Sequence, residues 1–227
     1  MAVTLAMGAL SACAGETRQG SKSTGSSSSS RPTATLDPAE ASTPSRPPEA
    51  DPAPVYGTPG PARLSIPDLD LTDLPIVPYR GRTDDARGTL IQNDGRLASP
   101  HGPDGGTGPG GIGNHQVTGH RLSSTMPFRY LPQLAQGDRV HVESRGVRHV
   151  YRIVATRETS FRDPQSLREQ RAAVPGRPGV EPTRARVTLS TCATLEDHAE
   201  GNFWSDRFDN PEHRVDKIGV LVRSVPL

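Results

Sequence analysis

The sequence has little of several features that mark common classes of protein. Its 227 residues have a formal net charge of +1, and this near-balance gives no reason to expect a polyanion such as nucleic acid as a partner. Only Lys22 and Lys217 of the 26 basic residues are lysine. The hydrophobic share of 32% is low for one globular unit and is unevenly distributed, which predicts a disordered part and a folded part.

Cysteine is also scarce, since the chain has only Cys13 and Cys192. An exported chain with an even number of cysteines can form a disulfide. The positions argue against one here, because Cys13 ends an apolar N-terminal segment and Cys192 lies deep in the predicted folded part. Each thiol therefore needs its own explanation.

The N-terminus is predicted to be an export signal. Residues 3–12 are small and apolar, like the central region of a secretory signal, but too short for a bilayer, which needs about 20 apolar residues. Residues 10–13 (Leu-Ser-Ala-Cys) resemble a bacterial lipobox, in which Cys13 becomes lipidated. The alternatives are an ordinary signal peptide and a truncated membrane anchor. Residues 1–13 are thus predicted to hold the protein at the outer face of the cytoplasmic membrane.

Residues 14–61 are predicted to be a disordered linker. Of these 48 residues, 29 are Gly, Ser, Thr or Pro, so the segment cannot bury enough apolar surface to offset its ordering entropy. Its Pro-rich part, residues 44–61, is expected to be stiffer and extended. Such a tether would let a folded domain at residues 62–227 reach from the membrane into the wall.

Residues 62–227 are predicted to be all-β, because their apolar residues form short runs separated by Gly, Pro and Asp. Many short strands in one domain of this size predict a barrel or a sandwich. Asp163-Pro164 predicts a short helix to Arg171, and residues 131–134 predict a helical turn. The seven candidate strands are Arg63–Ile66, Pro75–Val77, His115–Gly119, Arg139–Glu143, His149–Thr156, Arg186–Thr191 and Ile218–Ser224.

Two long segments are predicted to be loops. Residues 102–113 are rich in glycine but lack the Gly-Lys-Ser/Thr ending of a phosphate-binding P-loop, so they are interpreted as a surface loop. Residues 193–212 contain the sole tryptophan, Trp204, between Phe203 and Phe208. These aromatics either pack near Cys192 or form a structural cluster of their own.

Cys192 is the strongest candidate for a catalytic residue, because it ends a predicted strand where a side chain can face a cleft. The alternative is a buried cysteine that acts as a small hydrophobe. A cysteine nucleophile reacts as its thiolate, which a nearby imidazole and guanidinium favour. His120 follows Gly119 at the end of another predicted strand. Arg214 lies 22 residues after Cys192, where its guanidinium could hold a carbonyl or an oxyanion.

These residues carry a resemblance to the sortase family. Residues 188–192 (Thr-Leu-Ser-Thr-Cys) match the TLxTC signature of sortases, and residues 119–121 (Gly-His-Arg) resemble the segment around the catalytic histidine in actinobacterial sortases, the class E type in particular. Residues 128–131, 137–140 and 150–154 are similar to the middle strands of that family. The resemblance extends over about residues 62–227.

The resemblance implies a closed eight-stranded β-barrel with short helices and long connecting loops. It implies a cysteine transpeptidase or hydrolase that cleaves an LAxTG- or LPxTG-like sorting motif through a thioester acyl-enzyme. The amine of a cell-wall precursor, or a lysine of another protein, then accepts the acyl group. In that reaction Cys192 is the nucleophile, His120 the general acid and base, Arg214 the oxyanion ligand, and Thr191 a further donor to the substrate. No cofactor is implied.

Three features depart from the family pattern. The segment before His120 is richer in glycine, the segment after Cys192 is longer, and Lys217 occupies the place that an arginine holds in many relatives. We favour Arg214, because lysine cannot make the same two-pronged contact. Asp68, Asp70, Asp73 and Glu143 raise the alternative of a calcium site, but we interpret them as surface carboxylates and predict no metal.

Two other functions remain open from the residues. One is an L,D-transpeptidase, which also uses cysteine, histidine and arginine, although its Ser-His-Gly-Cys motif is replaced here by Ser190-Thr191-Cys192. The other is a non-catalytic exported β-domain that binds wall or pilus components and in which Cys192 is merely buried.

Overall fold

A computed structural model of the chain describes residues 57–227. The predicted signal segment, the lipidation of Cys13 and all but the last residues of the predicted linker lie outside the described residues.

The described residues form eight strands, three α-helices and two short 3₁₀ helices. The 3₁₀ helices are Pro67–Leu69 and Leu131–Gln133, and the latter coincides with the predicted helical turn. The other elements, in chain order, are β1 Ala62–Ile66, β2 Leu71–Arg80, α1 Ala86–Asn93, β3 Leu97–His101, β4 Gly113–Thr118, β5 Arg139–Ser144, β6 Val147–Ser160, α2 Pro164–Arg171, β7 Ala185–Cys192, α3 Thr194–Ala199 and β8 His213–Pro226.

The strands close into one barrel in the order β1-β2-β3-β4-β7-β8-β6-β5. The β2–β3 and β4–β7 pairs are parallel and the other pairs are antiparallel. Because side chains alternate along a strand, one face of each strand fills the interior with residues such as Leu64, Val117, Val142 and Leu189, all fully buried. The predicted closed eight-stranded barrel is confirmed.

All seven predicted strands are present, but β3 was not predicted. Its sequence, Leu-Ala-Ser-Pro-His, contains no β-branched or aromatic residue, so it lacks the composition that marks strands. It is nevertheless held in the barrel by five residue pairs with β2, from Ile76–Leu97 to Arg80–His101. Tertiary pairing thus outweighs local propensity here.

Helix α2 is confirmed, whereas α1 and α3 were not predicted. The Asp163 side chain accepts a hydrogen bond from the amide of Gln165 at 2.8 Å, as the capping signal indicated. The α1 helix has no apolar stripe, but Asp85 caps it by accepting from the amide of Gly88 at 2.9 Å. Helix α3 has six residues and no side-chain cap, and it lies within the segment that was interpreted as a loop.

The glycine-rich segment at residues 102–113 packs on the barrel instead of lying free on its surface. Gly57 and Gly108 face each other: the amide of Gly108 donates to the carbonyl of Gly57 at 2.8 Å, and the amide of Gly57 donates to Pro109 at 2.9 Å. The amide of Gly110 donates to the hydroxyl of Tyr151 at 2.8 Å. A Cβ on Gly108 would lie 2.2 Å from the carbonyl oxygen of Thr58, so close packing of backbones explains this glycine.

Within residues 57–227, no helix is both long and apolar enough to cross a membrane.

Candidate active site

The pairing of β7 with β8 brings Cys192 and Arg214 together. The two residues are opposite each other in the antiparallel register, and Nη1 of Arg214 lies 2.8 Å from Sγ of Cys192. Along β7, Val187 and Leu189 point into the barrel core, so alternation turns Cys192 outward. The thiol is half-buried and lines a cleft of about 480 Å³ on the outside of the barrel.

Arg214 is held on several sides, and one of its donors has no partner within residues 57–227. The residue is 1% exposed, its Nε donates to Oδ2 of Asp84 at 3.2 Å, and its guanidinium lies 4.4 Å from the ring centre of Phe161. Burial alone would lower the pKa of Arg214, but Asp84 and Cys192 raise it, so the guanidinium stays charged. Its Nη2 is buried and has no hydrogen-bond partner among the described residues.

Lys217 lies away from the thiol. It is opposite Leu189 in the β7–β8 register, and its Nζ donates to the carbonyl of Pro132 at 2.8 Å and to Oγ1 of Thr156 at 3.0 Å. Of the two basic residues weighed from the sequence, the structure therefore places Arg214 at Cys192.

His120 lies two residues beyond the end of β4 and lines the same cleft as Cys192. Its Nε2 lies 2.7 Å from Oδ1 of Asn93, the last residue of α1. An amide oxygen can only accept, so the hydrogen-bond pattern assigns the ring proton of the neutral imidazole to Nε2. Nδ1 is then available to accept a proton.

Burial sets the protonation states of both groups. It raises the pKa of the Cys192 thiol above 9.0, against the opposing effect of Arg214 and with a further increase from Asp84. It lowers the pKa of His120 below 6.5, and Arg214 lowers it further while Asp84 opposes. The predicted effect of a guanidinium on the thiol is right in direction, but burial outweighs it. A neutral thiol and a neutral imidazole therefore predominate at neutral pH.

Thr191, predicted as a donor to the substrate, lies on the other face of β7. Its side chain is buried, and Oγ1 donates to the carbonyl of Gly119 at 2.8 Å. The hydroxyl has a single proton, which this bond already uses. In this structure Thr191 links the strand of Cys192 to the residue before His120 and is not among the residues that line the cleft. Its role as a donor to the substrate stays a prediction.

Two residues at the site were not predicted because they come from distant segments. Asp84 precedes α1, is 8% exposed, and has a φ of 54°, a conformation rare for residues other than glycine. Its Oδ1 accepts from Nε2 of Gln92 at 3.1 Å while Oδ2 accepts from Arg214. Next to Gln92, Asn93 holds His120. The last turn of α1 thus supports both the arginine and the histidine, and nothing in its sequence pattern signals this.

Arg121 is the third residue of the Gly-His-Arg motif, and the sequence predicted no catalytic or structural role for it. Its Nη1 donates to the backbone carbonyl of Cys192 at 3.2 Å, and its guanidinium binds both carboxylate oxygens of Glu196 in α3, with Nη2–Oε1 at 2.9 Å. This side chain therefore ties the His120 segment, the cysteine backbone and the following helix together.

A buried polar layer lies beside the cleft. Asp216, next to Arg214 on the same face of β8, accepts from Oγ1 of Thr159 at 2.6 Å and from Nε2 of Gln170 at 3.0 Å. Burial raises the pKa of Asp216. Gln170 also accepts from Thr83 at 3.0 Å, so the layer joins α2 to the segment that carries Asp84.

The segment after Cys192 contributes to the cleft through Phe208, Asp209 and Asn210. Of its other aromatics, Trp204 packs under the guanidinium of Arg162 at 5.8 Å and Phe203 is 70% exposed. The alternative that aromatics of this segment pack near Cys192 thus holds for Phe208.

Two of the four carboxylates considered for calcium are paired with arginines. Asp73 pairs with Arg63 at 3.1 Å and Glu143 pairs with Arg148 at 2.6 Å. Among residues 57–227, no three His, Cys, Asp or Glu side chains group in a way that could hold a metal ion.

Solved sortase structures share this fold. The sortase SrtA from Actinomyces oris is 19% identical, with a TM-score of 0.55, 79% of this chain covered and 89% of that chain. Sortase E1 from Streptomyces coelicolor, solved with a tripeptide in its active site, is 24% identical with a TM-score of 0.54. The match covers 75% of this chain and 91% of that chain. Sortase E from Streptomyces avermitilis is 24% identical with a TM-score of 0.52, and the match covers 76% of this chain and 93% of that chain. At these identities the likeness establishes the fold.

The family follows from the sequence itself. No curated protein matches the chain at a significant level. The family model of the sortase domain matches residues 64–205, which is more than half of the chain. The match spans the β1–β7 strands, His120 and Cys192, and class E enzymes among the structural neighbours are consistent with the class E-like motif. The chain belongs to the sortase family.

Proposed function

We propose that the chain is a cysteine transpeptidase that cleaves an LAxTG- or LPxTG-like sorting motif and transfers the acyl part to an amine. The observation that carries this proposal is the contact of 2.8 Å between Cys192 and the buried guanidinium of Arg214, in a cleft that His120 also lines. Membership of the sortase family supports a transpeptidase and excludes the L,D-transpeptidase interpretation.

In the first step the thiolate of Cys192 attacks the carbonyl carbon between Thr and Gly of the motif. The oxyanion that forms is stabilised by Arg214, whose Nη2 is the one guanidinium nitrogen without a partner among the described residues. His120 in its protonated form donates a proton to the departing glycine amine. The products are a thioester on Cys192 and a free amino terminus.

In the second step an acceptor amine attacks the thioester carbonyl. His120, now neutral, takes the proton from this amine, and the Cys192 thiolate leaves. The amine of a peptidoglycan precursor or a pilin lysine is the proposed acceptor. Water in place of the amine would give hydrolysis. Asn93 would keep the imidazole oriented through both steps, because it binds Nε2 and leaves Nδ1 to carry the transferred proton.

The pH profile of kcat/KM is expected to be bell-shaped. The productive state needs a thiolate together with an imidazolium. This is the minor form of the pair, because the pKa of Cys192 is raised and that of His120 is lowered, so a neutral thiol and a neutral imidazole predominate. The population of the productive state falls as pH drops below the lowered pKa of His120, because the thiolate is protonated, and falls as pH rises above the raised pKa of Cys192, because the imidazolium is lost. Therefore kcat/KM should be level around neutral pH, with an acid limb set by the lowered pKa of His120 and an alkaline limb set by the raised pKa of Cys192. A profile with a single limb would contradict this assignment.

The location of the enzyme follows from the family in outline. Sortases act outside the cytoplasm and are generally associated with the membrane. We propose that residues 1–13 attach this chain to the outer face of the cytoplasmic membrane, through lipidation of Cys13 or through a signal anchor. The proposed substrates are exported proteins that carry the sorting motif.

The test is a peptide transfer assay. The purified protein is incubated with LAxTG and LPxTG peptides and an amine acceptor, and the products are separated by mass. Wild type should form the peptide–amine adduct, whereas Cys192→Ala should form none. Equal turnover by both proteins would overturn the role of Cys192. Absence of any adduct or hydrolysis product with wild type would instead favour the non-catalytic exported domain.

A further inference from the structure

One face of the barrel carries a concentration of arginine that the function above does not use. This arginine face consists of Arg139 on β5, Arg148 and Arg152 on β6, and Arg223 on β8. All four residues are exposed. Arg139 is directly opposite Arg152 in the β5–β6 register. In the next row, Val150 is paired with His141 on one side and Arg223 on the other.

Acids compensate only part of the charge on this face. Glu143 is the acid within the rows and pairs with Arg148 at 2.6 Å, and Asp68 accepts from the backbone amide of Arg139 at 3.4 Å without forming an ion pair with its guanidinium. Arg139, Arg152 and Arg223 form no ion pair with any residue in the range 57–227. Like charges directly opposite each other on adjacent strands destabilise a sheet. The Arg139–Arg152 pair therefore costs stability that an anionic partner would recover.

Three of these arginines lie close enough to His141, on the same face, to lower its pKa. The pKa of His141 is lowered first by burial and then by Arg148, Arg139 and Arg223, with Glu143 opposing. One row further across the barrel, Val220 lies opposite both Arg152 and Arg186, so the positive surface extends onto β7. The net charge of +1 does not reveal this positive surface, because it sums over the whole chain. Many acids lie on the cleft side, among them Asp84, Glu196, Asp197, Asp206 and Asp216.

Exposed aliphatic side chains border the arginines. Val222 is 49% exposed, Val225 41% and Leu227 65%, and all three belong to the end of the chain that carries Arg223. Aliphatic side chains beside arginines suit a membrane interface, where the apolar groups enter the headgroup region and the guanidinium groups bind phosphates. A soluble phosphate polymer would recover the charge but would leave the aliphatic groups in water.

The chain enters the barrel at the margin of this face. The hydroxyl of Ser144, at the end of β5, donates to the carbonyl of Pro61 at 3.0 Å, and the amide of Leu227 donates to Gly146 at 2.8 Å. The N-terminal end of β1 and the C-terminal end of β8 thus lie at the same margin. The 56 residues that precede Gly57 are nearly neutral, with four basic and five acidic residues: Arg18, Lys22, Arg31 and Arg46 against Glu16, Asp37, Glu40, Glu49 and Asp51.

We propose that the arginine face binds the phosphate groups of an anionic membrane surface. Arg223 is nine residues from Arg214 on β8, and Val220, opposite Arg152, is six residues from it, so the face lies roughly 20–30 Å from Arg214 at the rise of an extended strand. Binding through this face therefore sets the reactive thiol far from the lipid headgroups, on the part of the barrel that faces the wall. The face gives the domain a fixed orientation that a long tether alone does not provide.

The test measures partition of the full-length protein into vesicles of phosphatidylglycerol mixed with phosphatidylcholine and into vesicles of phosphatidylcholine alone. The ratio of the two partition coefficients cancels most of the contribution of the nearly neutral N-terminal segment. The triple variant R139Q/R152Q/R223Q removes three charges from the face. The matched control R87Q/R129Q/R168Q removes three exposed arginines from α1, the segment after β4, and α2.

Wild type and control should prefer anionic vesicles, and the face variant should lose at least about tenfold of that preference, with the difference shrinking at high salt. Peptide transfer in solution should be the same for all three proteins, which shows that they are folded. Equal preference in all three, or no preference in wild type, would overturn the proposal. Binding of a soluble phosphodiester polymer that depends on the face, without binding to vesicles, would also overturn it by assigning the face to a polymer.

Discussion

The two faces of β7 differ in what holds their residues in place. The inner face, Val187 and Leu189, packs with other apolar side chains in the barrel core. The outer face, Thr188, Ser190 and Cys192, meets polar partners: Oγ1 of Thr188 donates to Asn114 at 2.8 Å, Ser190 lies beside Gln170, and Cys192 meets Arg214. One strand thus carries both the packing that closes the barrel and the residues of the candidate active site.

Because of this difference, substitutions on the two faces should affect different properties of the protein. The inner face depends on apolar volume, so alterations there should change the free energy of unfolding and leave the chemistry of the folded protein intact. The outer face depends on the positions of single donors and charges, so alterations there should change the rate of the reaction more than stability. Four substitutions test this separation.

Arg214→Lys should reduce kcat/KM about 10²- to 10³-fold. Lysine keeps the positive charge, but its donors are all on one nitrogen. It therefore cannot reproduce the planar guanidinium, in which Nε binds Asp84 and Nη1 contacts Cys192. Steady-state kinetics of peptide transfer measures the effect. The matched control is Lys217→Arg on the same strand, which should retain most activity, because Lys217 lies away from the thiol. A larger loss in the Lys217 variant would reverse the assignment of the two residues.

Leu189→Ala should lower the free energy of unfolding by about 2–5 kcal/mol, because it opens a cavity next to fully buried neighbours. The kcat/KM of the protein that remains folded should change little. Denaturant unfolding and kinetics below the transition measure the two quantities. Leu189→Met, which conserves volume, should cost less than about 1.5 kcal/mol. If kcat/KM fell in proportion to the lost stability, the two faces would not be separable.

Asp84→Asn should lower kcat/KM about 10- to 100-fold, since a charged partner that positions Arg214 becomes neutral. The pH profile should move as well: Asp84 raises the pKa of both Cys192 and His120, so both limbs should shift to lower pH. The neighbouring Asp85→Asn is the control, because asparagine also caps helices well and Asp85 does not contact Arg214. An unchanged profile in the Asp84 variant would show that Asp84 supports structure alone.

Thr191→Val should cost about 1 kcal/mol of stability. It removes the hydrogen bond from Oγ1 to Gly119, which lies beside the histidine segment. Thermal or denaturant unfolding measures the loss, and Thr191→Ser, which keeps the hydroxyl, should recover most of it. Loss of substrate affinity without loss of stability would instead return Thr191 to its predicted role as a donor to the substrate.

The sequence allowed the inner face to be predicted more fully than the outer one. Alternating apolar residues reveal strands such as β5 and β6, and Asp163-Pro164 reveals the start of α2, because these signals are local. The β3 strand was missed since its composition is not that of a strand and only pairing with β2 maintains it. The motif around Cys192 predicted the candidate nucleophile, and His120 and Arg214 were predicted from their places near strand ends.

The rest of the site depends on contacts between segments far apart in the chain. Asp84 reaches Arg214 across 130 residues, and Asn93 reaches His120 across 27. Neither side chain follows a local pattern, so no periodicity marks it. The arginine face was hidden for the same reason: its residues are scattered over three strands, and only the register of the barrel makes them neighbours.

The central claim is that Cys192 becomes acylated during the reaction, and intact-protein mass spectrometry tests it most directly. Wild type mixed with an LAxTG or LPxTG peptide, without an amine acceptor and quenched early in acid, should gain the mass of the peptide up to its threonine. Fragmentation should locate that mass on Cys192, and added amine should release it as the transfer product. An adduct of the same mass on Cys192→Ala, or transfer by wild type with the modification on another residue, would contradict the account.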